Sequence, residues 1–323
     1  MGDTDVLTKE YMKDAEVFAD VLNYFLYDGE KVIDPEELHE LDTTELASLY
    51  EESDSSKEKK TIQVYRDVLK YAAVKGDDER AYVIFAIENQ TNINYAMPVK
   101  TMLYDSLRYN SQVKNIEKKN KRKNKELKMS GDELISGLMR EDKILPVVTL
   151  VVYFGAKPWD GPKSLHEMLD CNDETLLKYV NDYKLQLIEP AAMSDEEIDR
   201  LKSDLRDVFF FIKYSKDKEK LREIINSNEK YRHMSRDTAE LINKVTKAGI
   251  EISKREETVD MCIAIEEMKE ESKAEGIAIG IKEGELNLLF KLVQKGFLTI
   301  EKAASELDMT VEQFKEAMAY AEH

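Results

Sequence analysis

The sequence predicts an α/β fold: a mixed sheet flanked by helices that gives way to an all-helical C-terminal region. Three features carry that prediction. Val83 to Ile87 and Ile144 to Phe154 are apolar runs of strand length, the pattern of strands buried on both faces. Lys13 to Tyr27 and Pro98 to Asn110 carry apolar residues at helical spacing. Beyond Pro190 the pattern is helical throughout, and only 6 prolines and 12 glycines in 323 residues interrupt the chain.

The first helix has its stripe at Val17, Phe18, Val21, Leu22 and Phe25, and Asp28-Gly29 is its stop signal. Glu16 and Asp20 share one face of it. Val32 to Leu49 reads as a strand-like piece followed by a short acidic helix around Pro35 to Leu41. Thr61 to Tyr71 alternates loosely and reads as a strand bending at Arg66-Asp67. Lys75 to Asp78 then turns the chain into a strand over Ala81 to Gln90, which predicts a β-hairpin. Pro98 suits the first turn of the next helix. Lys114 to Lys128 holds 8 Lys/Arg against Glu117 and Glu126 and reads as a solvated loop or arm. Ile144 to Phe154 is β-branched and reads as a central strand, with Pro146 tolerated near its start. Gly155 to Pro162 ends it in a loop with the only tryptophan, Trp159, and Leu185 to Ile188 adds an edge strand.

Past Pro190, Ser194 to Glu197 forms a capping box and Leu201, Leu205, Val208, Phe209 and Ile212 continue one helix face. Glycines recur every four residues at Gly276, Gly280 and Gly284, a flexible joint or a place of close backbone approach. Ile300 to Leu307 and Val311 to Met318 resemble a helix-turn-helix. The second helix offers a single lysine and two acids around Gln313, so packing or oligomerisation suits it better than base reading. The predicted domains are 1–190, an α/β core; 191–274, helical; and 275–323, a helical hairpin that serves regulation or homo-oligomer formation.

The net charge is −18, which argues against adhesion of the whole surface to nucleic acid. Residues 1–60 alone contribute −12, with 18 acids against 6 Lys/Arg. A basic stretch still contacts phosphate locally, because charges beyond roughly 8 Å are screened at physiological salt. Cys171 and Cys262 form no CxxC pattern, and the four histidines form no helix-spaced pair, so neither a disulfide framework nor a zinc site is expected. The N-terminus lacks signal-peptide character, and no apolar run is long enough for a bilayer. A cytoplasmic protein is the expectation.

The chemistry concentrates where Val83 to Gln90 ends in an acid, a spacer and an amide. The period of two sends Glu88 and Gln90 to one side and Asn89 to the other. With Asp67 on the neighbouring strand, two carboxylates and an amide meet, a seat for a hard divalent cation. Blander readings remain open at this point: Asp67 as the cap of a helix from Val68 to Ala73, and Glu88 paired with Arg66 or Arg108 at a strand end.

Arg66-Asp67-Val68-Leu69, Ile87-Glu88-Asn89-Gln90 and Leu145 to Tyr153 resemble the Rpn family, recombination-promoting nucleases also described as transposases. Phe18 to Tyr24 and Lys157 to Leu165 add to the likeness, which spans roughly residues 10–190. The resemblance implies a PD-(D/E)xK core of restriction-endonuclease type and DNA cleavage that depends on Mg²⁺, with Mn²⁺ as a substitute. It makes Asp67 and Glu88 the metal ligands. Gln90 stands where the wider superfamily usually has lysine, and an amide orients an oxygen but carries no charge. An acid from the first helix is also implied, so the predicted catalytic set is Asp67, Glu88, Gln90 and Asp20, with Glu16 as the alternative to Asp20. Lys118, Lys119, Lys121, Arg122, Lys123 and Lys125 are the candidate DNA contacts.

Two functions are therefore in view. One is a metal-dependent DNA endonuclease of mobile-element, recombination-promoting or defence type. The other is a catalytically degenerate nuclease fold that binds nucleic acid or protein and assembles through its helical C-terminus. The net charge of −18 and the missing lysine favour the second, and the co-placement of Asp67, Glu88 and Gln90 favours the first.

Overall fold

The computed structural model describes residues 3–41, 67–75, 80–123, 129–253, 257–263, 284–307 and 309–321. The chain divides into two compact units, Met1–Val259 and Asp260–His323. The first opens with α1 (Asp3–Lys13), α2 (Ala15–Tyr27), β1 (His39–Glu40), β2 (Val68–Lys75) and β3 (Arg80–Gln90). It continues through α3 (Met97–Lys123), α4 (Gly131–Ser136), β4 (Val147–Tyr153), α5 (Glu174–Leu177) and β5 (Gln186–Ile188). α6 (Asp195–Ile198), α7 (Leu205–Lys213), α8 (Lys218–Ser227), β6 (Met234–Ser235), α9 (Arg236–Thr246) and β7 (Thr258–Val259) complete it.

β1 to β5 lie side by side in chain order as one mixed sheet. The first three are antiparallel, while β3, β4 and β5 run parallel, so α3 is the crossover of a β-α-β unit. Ile84 to Ile87 and Leu150 to Tyr153 are buried, as their unbroken apolar pattern predicts. Alternation assigns the two faces. α3 covers the face of Ala86 and Thr149: the Thr149 hydroxyl donates to Asp105 Oδ1 at 2.5 Å, and Val147 N–H donates to Tyr109 Oη at 3.1 Å. On the other face, Lys70 Nζ donates to the Lys13 carbonyl at 2.6 Å and lies 5.3 Å from the Phe18 ring centroid. There the Phe154 and Phe209 rings meet edge to face at 6.4 Å.

Several elements depart from the sequence expectation, each for a local reason. The acidic turn at Pro35–Glu37 precedes the strand piece instead of following it, because Asp34 caps Glu36 N–H and frees His39 and Glu40 to pair with β2. β2 starts at Val68, so Asp67 stands just ahead of the strand; Thr61 to Arg66 fall outside the described residues. The basic run is no loop as far as Lys123, since α3 continues through it. Asn120 anchors that end by donating to the Gly137 carbonyl at 3.1 Å and to Asp142 Oδ2 at 2.7 Å. The helix face predicted from Leu201 to Ile212 is interrupted before α7. β6 and β7 also place a two-stranded ladder in a region expected to be wholly helical.

The interruption has an identifiable cause. The Asp20 carboxylate accepts from Lys202 N–H at 2.9 Å and from Ser203 N–H and hydroxyl at 2.7 and 2.6 Å. This buried acid holds the loop between α6 and α7 against α2.

The second unit is helical over residues 284–294, α10 (Ile300–Glu306) and α11 (Val311–Ala321). Phe290, Ala303, Ala304 and Phe314 form its core, with the two phenylalanine rings edge to face at 5.0 Å. The Thr310–Gln313 capping box is present in both directions, at 3.0 and 3.2 Å. Gly276 and Gly280 lie outside the described residues. Among the described residues no helix is long and apolar enough to cross a membrane.

Asp20→Ala leaves the donors at 202 and 203 unsatisfied and is expected to cost about 2–3 kcal/mol of stability, read by urea denaturation.

Candidate active site

The antiparallel pairing of β2 with β3 ends with Val68 opposite Ile87. One residue further along the same register, Asp67 stands opposite Glu88, and opposite residues in an antiparallel pair project to the same face. The Asn89 N–H donates to Asp67 Oδ2 at 2.9 Å, which fixes the carboxylate at the strand end. Glu88 is 0 % exposed. A fully buried carboxylate needs a cation or donors close by. Lys100, in the first turn of α3, brings Nζ to 3.3 Å from Glu88 Oε2 and 5.4 Å from the Tyr104 ring centroid. The turn over residues 91–96 sets this approach, with Asn94 Oδ1 accepting from Ala96 N–H at 3.0 Å and the Asn94 carbonyl from Met97 N–H at 3.0 Å.

Two residues of α1 complete the cluster from the opposite face. Asp5 Oδ1 accepts from the Thr91 hydroxyl at 2.7 Å, just past the end of β3. The charges of both Asp5 and Lys9 reach Asp67. Burial pushes the Asp67 carboxyl above its ordinary range. The Asn89 N–H, Lys100 and Lys9 pull it back in part, and Asp5 adds to the rise. For Lys100, burial favours the neutral amine, but Glu88, Tyr104 and Asp67 outweigh it and hold the group above its usual value, so it stays charged.

Of the residues singled out from sequence, the structure gathers Asp67 and Glu88. Gln90 follows two residues on, its amide donating to the Asn89 carbonyl at 2.9 Å. Asp20 is committed to Lys202 and Ser203, and Glu16 is exposed at the start of α2. The acid whose charge reaches Asp67 from the N-terminal helices is Asp5, on α1 and not on the helix read from sequence. Lys118, Lys119, Lys121 and Arg122 are exposed on the far end of α3, and among the described residues no ion pair engages them. At 1.5 Å per residue, Lys118 lies about 27 Å along the helix from Lys100. Lys123 closes the helix, and Lys125 lies outside the described residues.

Asp5, Lys9 and Lys100 escape a reading based on strand ends. Asp5 and Lys9 do carry a signal, an i, i+4 acid–base pair on one helix face. Lys100 and Tyr104 share that spacing.

Among the described residues no three His, Cys, Asp or Glu side chains group as a metal cage. Mg²⁺ does not require one: it binds through one or two carboxylates and fills the rest of its octahedron with water and phosphate oxygens. Asp67 and Glu88 offer only hard oxygens and fit that pattern.

The fold and site thus define an α/β protein with an acid–lysine cluster at the end of a central strand. The chain belongs to the family described as "Putative transposase, YhgA-like", whose profile matches residues 3–243. No curated protein and no solved structure matches it.

The raised Asp67 carboxyl has a consequence for stability. Its ionised form is disfavoured in the folded state, so the penalty is absent below the ordinary aspartate range and present once pH exceeds the raised value. Asp67→Asn is therefore expected to raise the melting temperature at neutral pH, with the gain vanishing toward pH about 4. Thermal melts of both proteins across that range check this.

Proposed function

We propose that this protein is a metal-dependent DNA endonuclease with a PD-(D/E)xK-type core, serving the mobile-element chemistry for which its family is described. The observation that supports it best is the meeting of Asp67, Glu88 and Lys100 at the end of β3. Asp67 and Glu88 would hold Mg²⁺, or Mn²⁺ in its place. Bound there, the metal activates water and offsets charge on the phosphate. Lys100 supplies the positive charge that Gln90 lacks, and its place within the cluster keeps it protonated through neutral pH. Gln90 orients an oxygen with its amide. Lys9 adds a second cation near Asp67.

The absent motif lysine is one of two arguments for a degenerate, purely binding protein, the other being the net charge of −18. Lys100 answers the first, because the charge arrives from the following helix. The basic end of α3 is proposed to grip phosphates about 27 Å from Lys100. Residues 260–323, with Phe297 exposed, are the proposed site of homo-oligomer assembly.

The test is nicking of supercoiled plasmid with Mg²⁺ or Mn²⁺. Asp67→Ala, Glu88→Ala and Lys100→Ala are each expected to lose at least about 100-fold in rate, and chelation to abolish cleavage. Undiminished cleavage by these variants would overturn the reading.

Phosphate contact by α3 has its own signature. Replacing Lys118, Lys119, Lys121 and Arg122 with Gln is expected to flatten the dependence of log K on log salt by up to roughly 0.9 per lost contact. Equal slopes in filter-binding titrations would remove α3 from the interface.

A further inference from the structure

Tyr95 occupies the turn between β3, which ends in Glu88 and Gln90, and α3, which carries Lys100. Its side chain is 59 % exposed, yet it is not loose, because Oη donates to Asp160 Oδ1 at 2.9 Å. Anchored through its hydroxyl, it borders a cleft of about 490 Å³ lined by Tyr95, Asp160, Gly161, Pro162, Glu167 and Met168. The opposite wall is the loop leaving β4, the parallel neighbour of β3. The cleft therefore opens beyond the carboxyl ends of two parallel strands, where open α/β sheets place their ligands.

The lining restricts the chemistry of an occupant. Asp160 and Glu167 contribute two carboxylates and no lining residue is cationic, so a phosphate is repelled. An aromatic ring, a proline and a thioether favour a flat, polarisable surface. Carboxylate oxygens beside them accept from N–H groups on such a ring. The volume suits one small molecule and is far too small for a duplex. A nucleobase meets every condition, presenting a π-face and edge N–H donors while its phosphates stay outside.

We propose that this cleft seats one unpaired base of the DNA strand, stacked on Tyr95. This deepens the endonuclease reading and rests on it for the identity of the strand. It makes single-stranded, frayed or looped DNA the preferred substrate, since a paired base cannot enter.

The protein carries its own reporter. Trp159 is the only tryptophan, and a Cβ built on Gly161 would lie 3.2 Å from its Nε1, so the indole backs directly onto the cleft. Its emission is followed while a short mixed-sequence single strand, or the same sequence as a blunt duplex, is added to the full chain in chelator. The single strand is expected to change the emission and to bind at least tenfold more tightly than the duplex. Tyr95→Ala weakens that binding roughly tenfold, the loss of one base stack, and Tyr95→Phe stays within about twofold of wild type. An unchanged affinity in Tyr95→Ala, a duplex bound as tightly as the strand, or no change in Trp159 emission overturns the proposal. The expected pattern together with no plasmid cleavage upholds the cleft and sinks the endonuclease reading. Cleavage without the pattern does the reverse.

Discussion

The register between β2 and β3 is the constraint on which the site depends. Side chains alternate along a strand, so a slip of one residue would send Asp67 to the face opposite Glu88 and dissolve the carboxylate pair. The register is held at the end that carries the site. Val68 lies against Ile87 within the buried sheet, and the Asn89 N–H reaches past the ladder to the Asp67 carboxylate. The parallel alignment of β3 with β4 then sets where α3 must begin, because the crossover helix has to return across the same face. Lys100 falls in its first turn as a consequence.

That placement also resolves an electrostatic problem. A carboxylate with no solvent access is costly unless a cation accompanies it, and removing the partner of such a pair is more damaging than never having had it. Lys100 is the cation that the structure sets beside the buried Glu88 carboxylate. The pair keeps both charges in place at the end of a strand in the middle of the sheet.

How much of this is legible in the sequence follows from the range of the interactions. Both central strands announce themselves as largely apolar runs of strand length. Asp67 and Glu88 emerge from period two plus one assumption, that the strands are neighbours. Lys100 does not, because nothing local distinguishes it from the other lysines of α3. Asp20 reads as a catalytic acid until its partners appear 182 and 183 residues away, and no pattern in a window of one helix contains them. The C-terminal half of α3 is misread for a different reason. Lys114, Lys118 and Arg122 repeat like charges at i, i+4, which disfavours an isolated helix, and the tertiary anchor at Asn120 overrides that preference.

α1 brings Asp5 and Lys9 toward Asp67, yet its own support comes from far downstream. Tyr11 Oη meets the Thr238 hydroxyl at 3.1 Å, across 227 positions of sequence, and Asp20 waits for Ser203. On the ribosome, where the chain emerges from its N-terminus, the first helix leaves the tunnel long before α9 exists to hold it. α1 thus gains its full set of partners only when nearly the whole first unit has been synthesised. A partial translation product that ends before α9 therefore lacks this support for α1.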